Sequence, residues 1–219
     1  MSGVPPACDF GSLGAIGIIG AGRQALETSG YCLEAGLTTA FFVEERPPTE
    51  SRDLAAFGSP ILTFESVAEE HLATPVISAV GLPELRRRLV GRWHGDRFVT
   101  VISAHAWLAA DAAVGRGTTV APGAALNRLV RVGAHVLVNV GVILSHDVTI
   151  DDFVTLSPGC AIGGLVSIGV GTFVGIGATV RDRVRIGKGA VVAAGAVVVA
   201  DVADGETVRG VPARPVSAS

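Results

Sequence analysis

Residues 132 to 150 read Val132-Gly133-Ala134-His135-Val136-Leu137-Val138-Asn139-Val140-Gly141-Val142-Ile143-Leu144-Ser145-His146-Asp147-Val148-Thr149-Ile150, and the pattern returns every six residues. Outward from this stretch, a step of six from Ile102 to Val198 lands on Ile, Leu or Val every time. A second register, four places after the first, runs from Ala106 to Val202 and holds only small or β-branched residues. A helix would scatter a six-residue register around its surface, so the rhythm excludes one. Positions five, six and one of each hexad alternate inward, outward, inward, as a short strand does. Positions two to four must then turn a corner. Position two is Gly, Asn or Asp at Gly115, Asn127, Gly133, Asn139, Asp151, Gly163, Gly169, Gly175 and Gly187, residue types that enter left-handed backbone cheaply, and the expectation is that they do so here.

Three such sides close an eighteen-residue triangular coil, and successive coils stack as parallel strands roughly 4.8 Å apart. Five to six coils give a prism about 26 Å long with large aliphatics over large and small residues over small.

Composition narrows the function classes. The chain has 219 residues, 49% hydrophobic and 17% charged, enough for a sizeable core in one or two domains. Its formal charge of −3 suggests neither a nucleic-acid surface nor an anionic membrane partner. No apolar run approaches the roughly 18 residues that span a bilayer. Residues 1–15 lack a basic region followed by a continuous apolar one, and read as a flexible lead, not a signal peptide. Cys8, Cys32 and Cys160 are odd in number and match no metal or disulfide spacing. A reducing cytoplasm is expected.

Residues 16 to 101 alternate strand and helix, a parallel α/β pattern. Strands are expected at Ile16 to Ile19, Thr39 to Val43, Pro60 to Phe64, Pro75 to Val80 and Arg97 to Ile102, with helices over Arg23 to Ala35 and Pro83 to Val90. Between the first strand and helix lies Gly20-Ala21-Gly22-Arg23-Gln24-Ala25, a G-x-G-x-x-A turn whose bared amides suit an anionic phosphate. Glu44 and Glu45 follow about 20 residues on, where a carboxylate can accept from ribose or base groups. A nucleotide sugar, a nicotinamide cofactor and a tight turn that binds nothing are all compatible with this motif alone. Arg86, Arg87 and Arg88 read as a solvated helix face.

The catalytic candidate is His146 with Asp147. They occupy hexad positions three and four, so their side chains are expected to face outward from a corner. An imidazole can take a proton from an attacking amine or hydroxyl, and a carboxylate at its other nitrogen would fix the tautomer. Eighteen residues later the same corner carries Gly164, whose amide can stabilise a developing oxyanion. The other histidines have no such surroundings. His135 and His146 are eleven apart, which does not repeat with the coil, so no zinc site of three imidazoles is expected.

The hexad run and the closing Gly210-Val211-Pro212-Ala213-Arg214 resemble the left-handed β-helix acyltransferases. With its N-terminal half the whole chain resembles the sialic acid O-acetyltransferase and nucleotide-amino-sugar N-acetyltransferase family. That resemblance implies a Rossmann-like nucleotide-sugar domain over 16–101, a left-handed β-helix over 102–203 and a tail over 204–219. It implies acetyl-CoA as acyl donor with no metal, and Asn139, His146 and Asp147 match the family pattern N-x6-H-[DE], in which His is the general base. It further implies that Gly164 supplies the oxyanion amide and that Gly175, Ile176 and Gly177 line the pantetheine arm. Lys188, Arg209 and Arg214 become candidates for the cofactor phosphates, and Gly20, Gly22, Arg23, Gln24, Glu44 and Glu45 for the acceptor. Family members usually read G-A-G-G-H-G followed by an aspartate pair, where this chain has Arg23-Gln24 and Glu44-Glu45. The implied activity is N-acetylation of a nucleotide-linked, UDP-type amino sugar by a homotrimer with sites between prisms. O-acetylation of a sugar or small-molecule hydroxyl, or a non-catalytic scaffold, are the alternatives.

Overall fold

Seventeen two-residue strands follow one another at six-residue intervals, from Val101–Ile102 to Val197–Val198. They belong to a computed structural model that describes residues 14–46 and 54–216. Each strand up to Thr179–Val180 pairs in parallel with the one eighteen residues on, so Val132 meets Ile150, Val138 meets Leu156 and Leu144 meets Ile162. The strands form three sheets, one per side of the prism. Both inward registers converge on a single buried core running from Ala109 to Val208. Thr207–Arg209 adds a rung beyond Val191–Val192, and Arg214–Pro215 returns antiparallel beside it.

The corners correct one expectation. Left-handed backbone falls at position four, not two: Leu129, His135, Asp147, Phe153, Leu165 and Arg183 have φ of 55° to 61°, as do glycines such as Gly117, Gly141 and Gly177 at 64° to 68°. Position-two glycines serve close approach instead. A Cβ on Gly163 or Gly175 would lie 2.5 Å from the backbone nitrogen of Asp182 or Ala194 in the next coil.

The three outward faces differ in chemistry. One presents Val101, Thr119, Leu137, Thr155, Phe173 and Val191, and its first four residues are buried under the N-terminal half. The second presents Trp107, Ala125, Ile143, Ala161, Thr179 and Val197, with no charge, and Trp107 and Ile143 are about half exposed. The third presents Ala113, Arg131, Thr149, Ser167 and Arg185.

The N-terminal half is built from β1 (Ala15–Ile19), α1 (Arg23–Glu34), β2 (Thr38–Glu44), β3 (Ile61–Thr63), α2 (Glu69–Leu72), β4 (Val76–Ser78) and α3 (Pro83–Arg92). Its sheet is parallel with order β3-β2-β1-β4. Apolar residues of the strands pack against α1 on one side and α3 on the other. The expected fifth strand does not join this sheet. Phe98 makes one bridge to Val76, and Val101–Ile102 then pairs with Thr119–Val120 as the first rung of the prism. Of the expected flexible lead, residues 1–13 lie outside the described residues. Among the described residues, no helix is long and apolar enough to cross a membrane.

The joint between the halves overturns the solvated reading of Arg86, which is 1% exposed. Beside it His135 is buried, stacked on Phe153 at 5.0 Å and edge-on to Phe98 at 4.7 Å. Its Nδ1 has no hydrogen-bond partner among the described residues. Burial, then the nearby charges of Arg116 and Arg86, push its pKa down to about 4, with Asp152 opposing. The unfolded chain therefore takes up a proton here below the ordinary range near 6.5, while the folded chain resists it until about 4. Stability should be intact above pH 6.5 and fall on the order of 2 kcal/mol as pH drops to 4. Urea unfolding across that window checks this, and His135→Phe, which keeps the stacking without the titration, should flatten the dependence.

Candidate active site

His146 projects from the edge between the apolar and the polar face, its side chain 62% exposed as the sequence requires of a corner position. Asp147 is held in left-handed backbone at φ 59°, a conformation that Asp tolerates better than most residues. Its N–H donates to Arg128 O at 3.0 Å in the preceding coil. So anchored, its Oδ2 stands 2.9 Å from His146 Nδ1. In the tautomer whose Nδ1–H donates to that carboxylate, the ring keeps its lone pair on Nε2.

One coil on, Gly164 lies beneath the ring. A Cβ there would be 2.6 Å from Nε2, so only glycine lets the imidazole rest in place. In two other coils the same position is capped: Ala134 N–H donates to Asp152 Oδ1 at 2.7 Å and Lys188 N–H to Asp204 Oδ1 at 2.9 Å. The Gly164 N–H has no acceptor among the described residues. A buried, unspent amide adjoins the lone pair of the base.

Asn139 is not brought to this edge. Its Nδ2 donates to Leu156 O at 3.0 Å inside the neighbouring corner, just as Asn127 donates to Leu144 O at 3.0 Å. Both amides tie one coil to the next. Gly175, Ile176 and Gly177 share Asn139's edge, with Ile176 62% exposed. Arg209 and Arg214 face each other across the last antiparallel pair, near Val197 of the same region, and both are exposed. Lys188 stands on a different edge.

The Gly-rich turn opens a second place. A cavity of about 430 Å³ is lined by Gly20, Gly22, Arg23, Gln24, Glu44 and Glu45, by Val80, Gly81, Leu82, Leu85 and Leu89 around α3, and by Phe173 of the prism. Gly20 has φ 114°, and a Cβ there would meet Ala79 O at 2.9 Å. Gly22 is different: a Cβ on it would meet nothing within 4 Å. The protein's own packing does not demand that glycine, which leaves room for something else to approach. Neither Gly22 nor Leu82, the caps of α1 and α3, makes a side-chain capping bond, so the Arg23 and Gln24 amides of α1 and the Glu84 and Leu85 amides of α3, whose first residue is Pro83, have no acceptor among the described residues. The buried Gln24 Nε2 likewise has no partner among the described residues.

The two acidic candidates part company. Arg88 grips Glu45 with Nε at 3.1 Å and a terminal nitrogen at 2.7 Å, and Arg92 approaches at 3.5 Å. The Arg88 hydrogen bond chiefly holds the Glu45 carboxyl below the usual carboxylate range. Glu45 is thus part of the wall, and Glu44 lines the same cavity. Phe173 and the α3 leucines were not legible as site residues, because their place here depends on how the two halves dock.

The cavity lies against the face that carries Phe173, whereas His146 projects from the edge between the other two faces. In a three-sided prism that edge is the one opposite. One chain therefore holds its cavity and its dyad on opposite sides of its own β-helix.

No family profile and no curated protein matches this chain. Solved structures do. A histidine-to-alanine variant of GDP-perosamine N-acetyltransferase from Caulobacter crescentus, in complex with CoA and GDP-perosamine, is 29% identical over 94% of this chain and 99% of that one, with a TM-score of 0.84. The acetyltransferase domain of PglB from Neisseria gonorrhoeae, in complex with acetyl coenzyme A, is 27% identical over 93% and 100%, with a TM-score of 0.73. WeeI from Acinetobacter baumannii is 25% identical over 92% and 100%, with a TM-score of 0.76.

Proposed function

We infer that this chain, a member of the hexapeptide-repeat sugar acetyltransferases, transfers the acetyl group of acetyl-CoA to the amino group of a nucleotide-linked amino sugar. The observation that carries the chemistry is a polarised imidazole, His146 on Asp147, resting on a glycine whose amide is unspent. His146 Nε2 removes a proton from the sugar ammonium's conjugate amine as its nitrogen bonds to the thioester carbonyl carbon. The carbonyl oxygen gains negative charge and is held by Gly164 N–H. Collapse breaks the carbon–sulfur bond, and the imidazolium returns the proton to the departing CoA thiolate. Asp147 keeps the tautomer and stabilises the transient imidazolium. Asn139 acts on the coil stack that positions this edge, not on substrate.

The acceptor's diphosphate sits at the open N-termini of α1 and α3, with Arg23 as a bidentate donor and Glu44 toward ribose or base. Residues 16–101 form this Rossmann-like domain, 102–203 a left-handed β-helix and 204–219 the tail. Gly175, Ile176 and Gly177 border the pantetheine arm, and Arg209 and Arg214 take the cofactor phosphates. The enzyme works in the cytoplasm.

Because pocket and dyad occupy opposite sides of one prism, a sugar bound by one chain reaches the base of its neighbour. The uncharged face with Trp107 and Ile143 is the natural contact, and a homotrimer closes it. This reading predicts complementation. His146→Ala and Gly22→Phe, the latter filling the open space at the cavity, should each be inactive with GDP- and UDP-amino sugars. Random mixed trimers should recover about a quarter of wild-type activity, since half the pockets and half the dyads survive independently. No recovery on mixing would place the whole site within one chain and overturn the composite arrangement.

A further inference from the structure

We propose that Arg86 is a positioning residue of the nucleotide pocket, holding the Val80–Gly81–Leu82 loop in the one orientation that turns its amides toward the ligand. The proposal rests on the nucleotide-sugar reading above and extends it to a residue that touches neither substrate nor cofactor.

Arg86 leaves the first turns of α3 and enters the prism's edge, 1% exposed and with no carboxylate within reach among the described residues. All five of its N–H donors are nevertheless spent. Nε donates to His135 O at 2.8 Å; one terminal nitrogen donates to Phe153 O at 2.8 Å and Val154 O at 2.9 Å; the other donates to Val80 O and to Thr155 Oγ1 at 2.9 Å. The Thr155 hydroxyl in turn donates to Gly81 O at 2.7 Å. The carbonyls of two successive peptides, Val80 and Gly81, are thereby drawn to the prism side.

A trans peptide points its N–H opposite to its C=O. Fixing those two carbonyls aims the N–H groups of Gly81 and Leu82 the other way, and both residues line the cavity. Neither amide has an acceptor among the described residues. A lysine, with three donors radiating from one point, cannot span five acceptors arranged around a plane. The loop's orientation, and with it the anion-binding face at the start of α3, depends on the guanidinium fork and on the Thr155 hydroxyl.

Calorimetric titration of GDP and of UDP into the full-length protein tests this, together with KM and kcat for acetyl-CoA and the sugar nucleotide. Thr155→Val removes a single hydroxyl, and Arg86→Lys keeps the charge without the fork. Each should weaken binding of whichever nucleotide the wild type takes by about tenfold, raising the sugar-nucleotide KM while the KM for acetyl-CoA stays put. A purely structural role would lower the melting temperature and leave the nucleotide Kd unmoved, and that result in Thr155→Val overturns the proposal even if Arg86→Lys does not fold. Wild-type protein that binds neither nucleotide would overturn the nucleotide reading and this inference with it. Wild-type binding matched by both variants would overturn this inference alone.

Discussion

His146→Ala is expected to fold as the wild type does and to lose roughly 10²- to 10⁴-fold in kcat. The imidazole is largely exposed and, among the described residues, its only side-chain bond is to Asp147, so its removal leaves no cavity and orphans no buried group. What disappears is the proton acceptor. The amine must then attack while still carrying its proton or wait for solvent to remove it, and the tetrahedral intermediate returns to reactants more readily. The KM for acetyl-CoA should hardly change, because the pantetheine arm and phosphates are assigned to other residues. Asp147→Asn should cost less than His146→Ala, since the ring survives but its tautomer and charge lose support. Steady-state kinetics with acetyl-CoA and the accepted sugar nucleotide measure both. A kcat for His146→Ala within about threefold of wild type would remove the general base from the mechanism.

The prism was legible residue by residue, because a six-residue register admits no other regular backbone and every inward position from Leu126 to Val198 obeys it. The corner conformation was not. Gly and Asn at position two suggested positive φ by residue type, whereas it lies at position four, where glycines such as Gly123 and Gly159 alternate with Leu129, Phe153 and Leu165, types that do not announce it. The coil's closure over-determines that angle and overrides local preference. At the site, His146, Asp147 and Gly164 share one edge because they differ by one and eighteen residues, a relation arithmetic can supply. Asn139 matched a pattern but stands an edge away, because seven residues is one side of the triangle plus one. Arg86 looked solvated beside Arg87 and Arg88, since nothing in a run of three arginines marks the one whose side chain meets four acceptors in the other half of the chain. Local rhythm fixes what repeats; docking between the halves fixes what does not.

Two adjacent glycines separate stability from chemistry. Gly163→Ala would press a methyl to 2.5 Å from the Asp182 nitrogen and 2.9 Å from Arg181 C, backbone that is itself paired in the next coil. Neither coil can yield without breaking register, so unfolding free energy should drop by about 1–3 kcal/mol, as overpacking usually costs. Gly164→Ala meets something softer: the His146 ring, 2.6 Å away at Nε2 and free to swing into solvent. The fold should accept that methyl with little change in melting temperature, while the displaced ring leaves Asp147 and the base no longer lies beside the amide that faces the oxyanion. Misplacement of about 1 Å at a reacting centre is enough for roughly 100-fold in kcat. Thermal unfolding and steady-state kinetics on the two single variants therefore cross. If Gly164→Ala kept its kcat, the imidazole would not act from the position it occupies over that glycine; if Gly163→Ala kept its stability, the coil spacing would be looser than the close approach of its backbones implies.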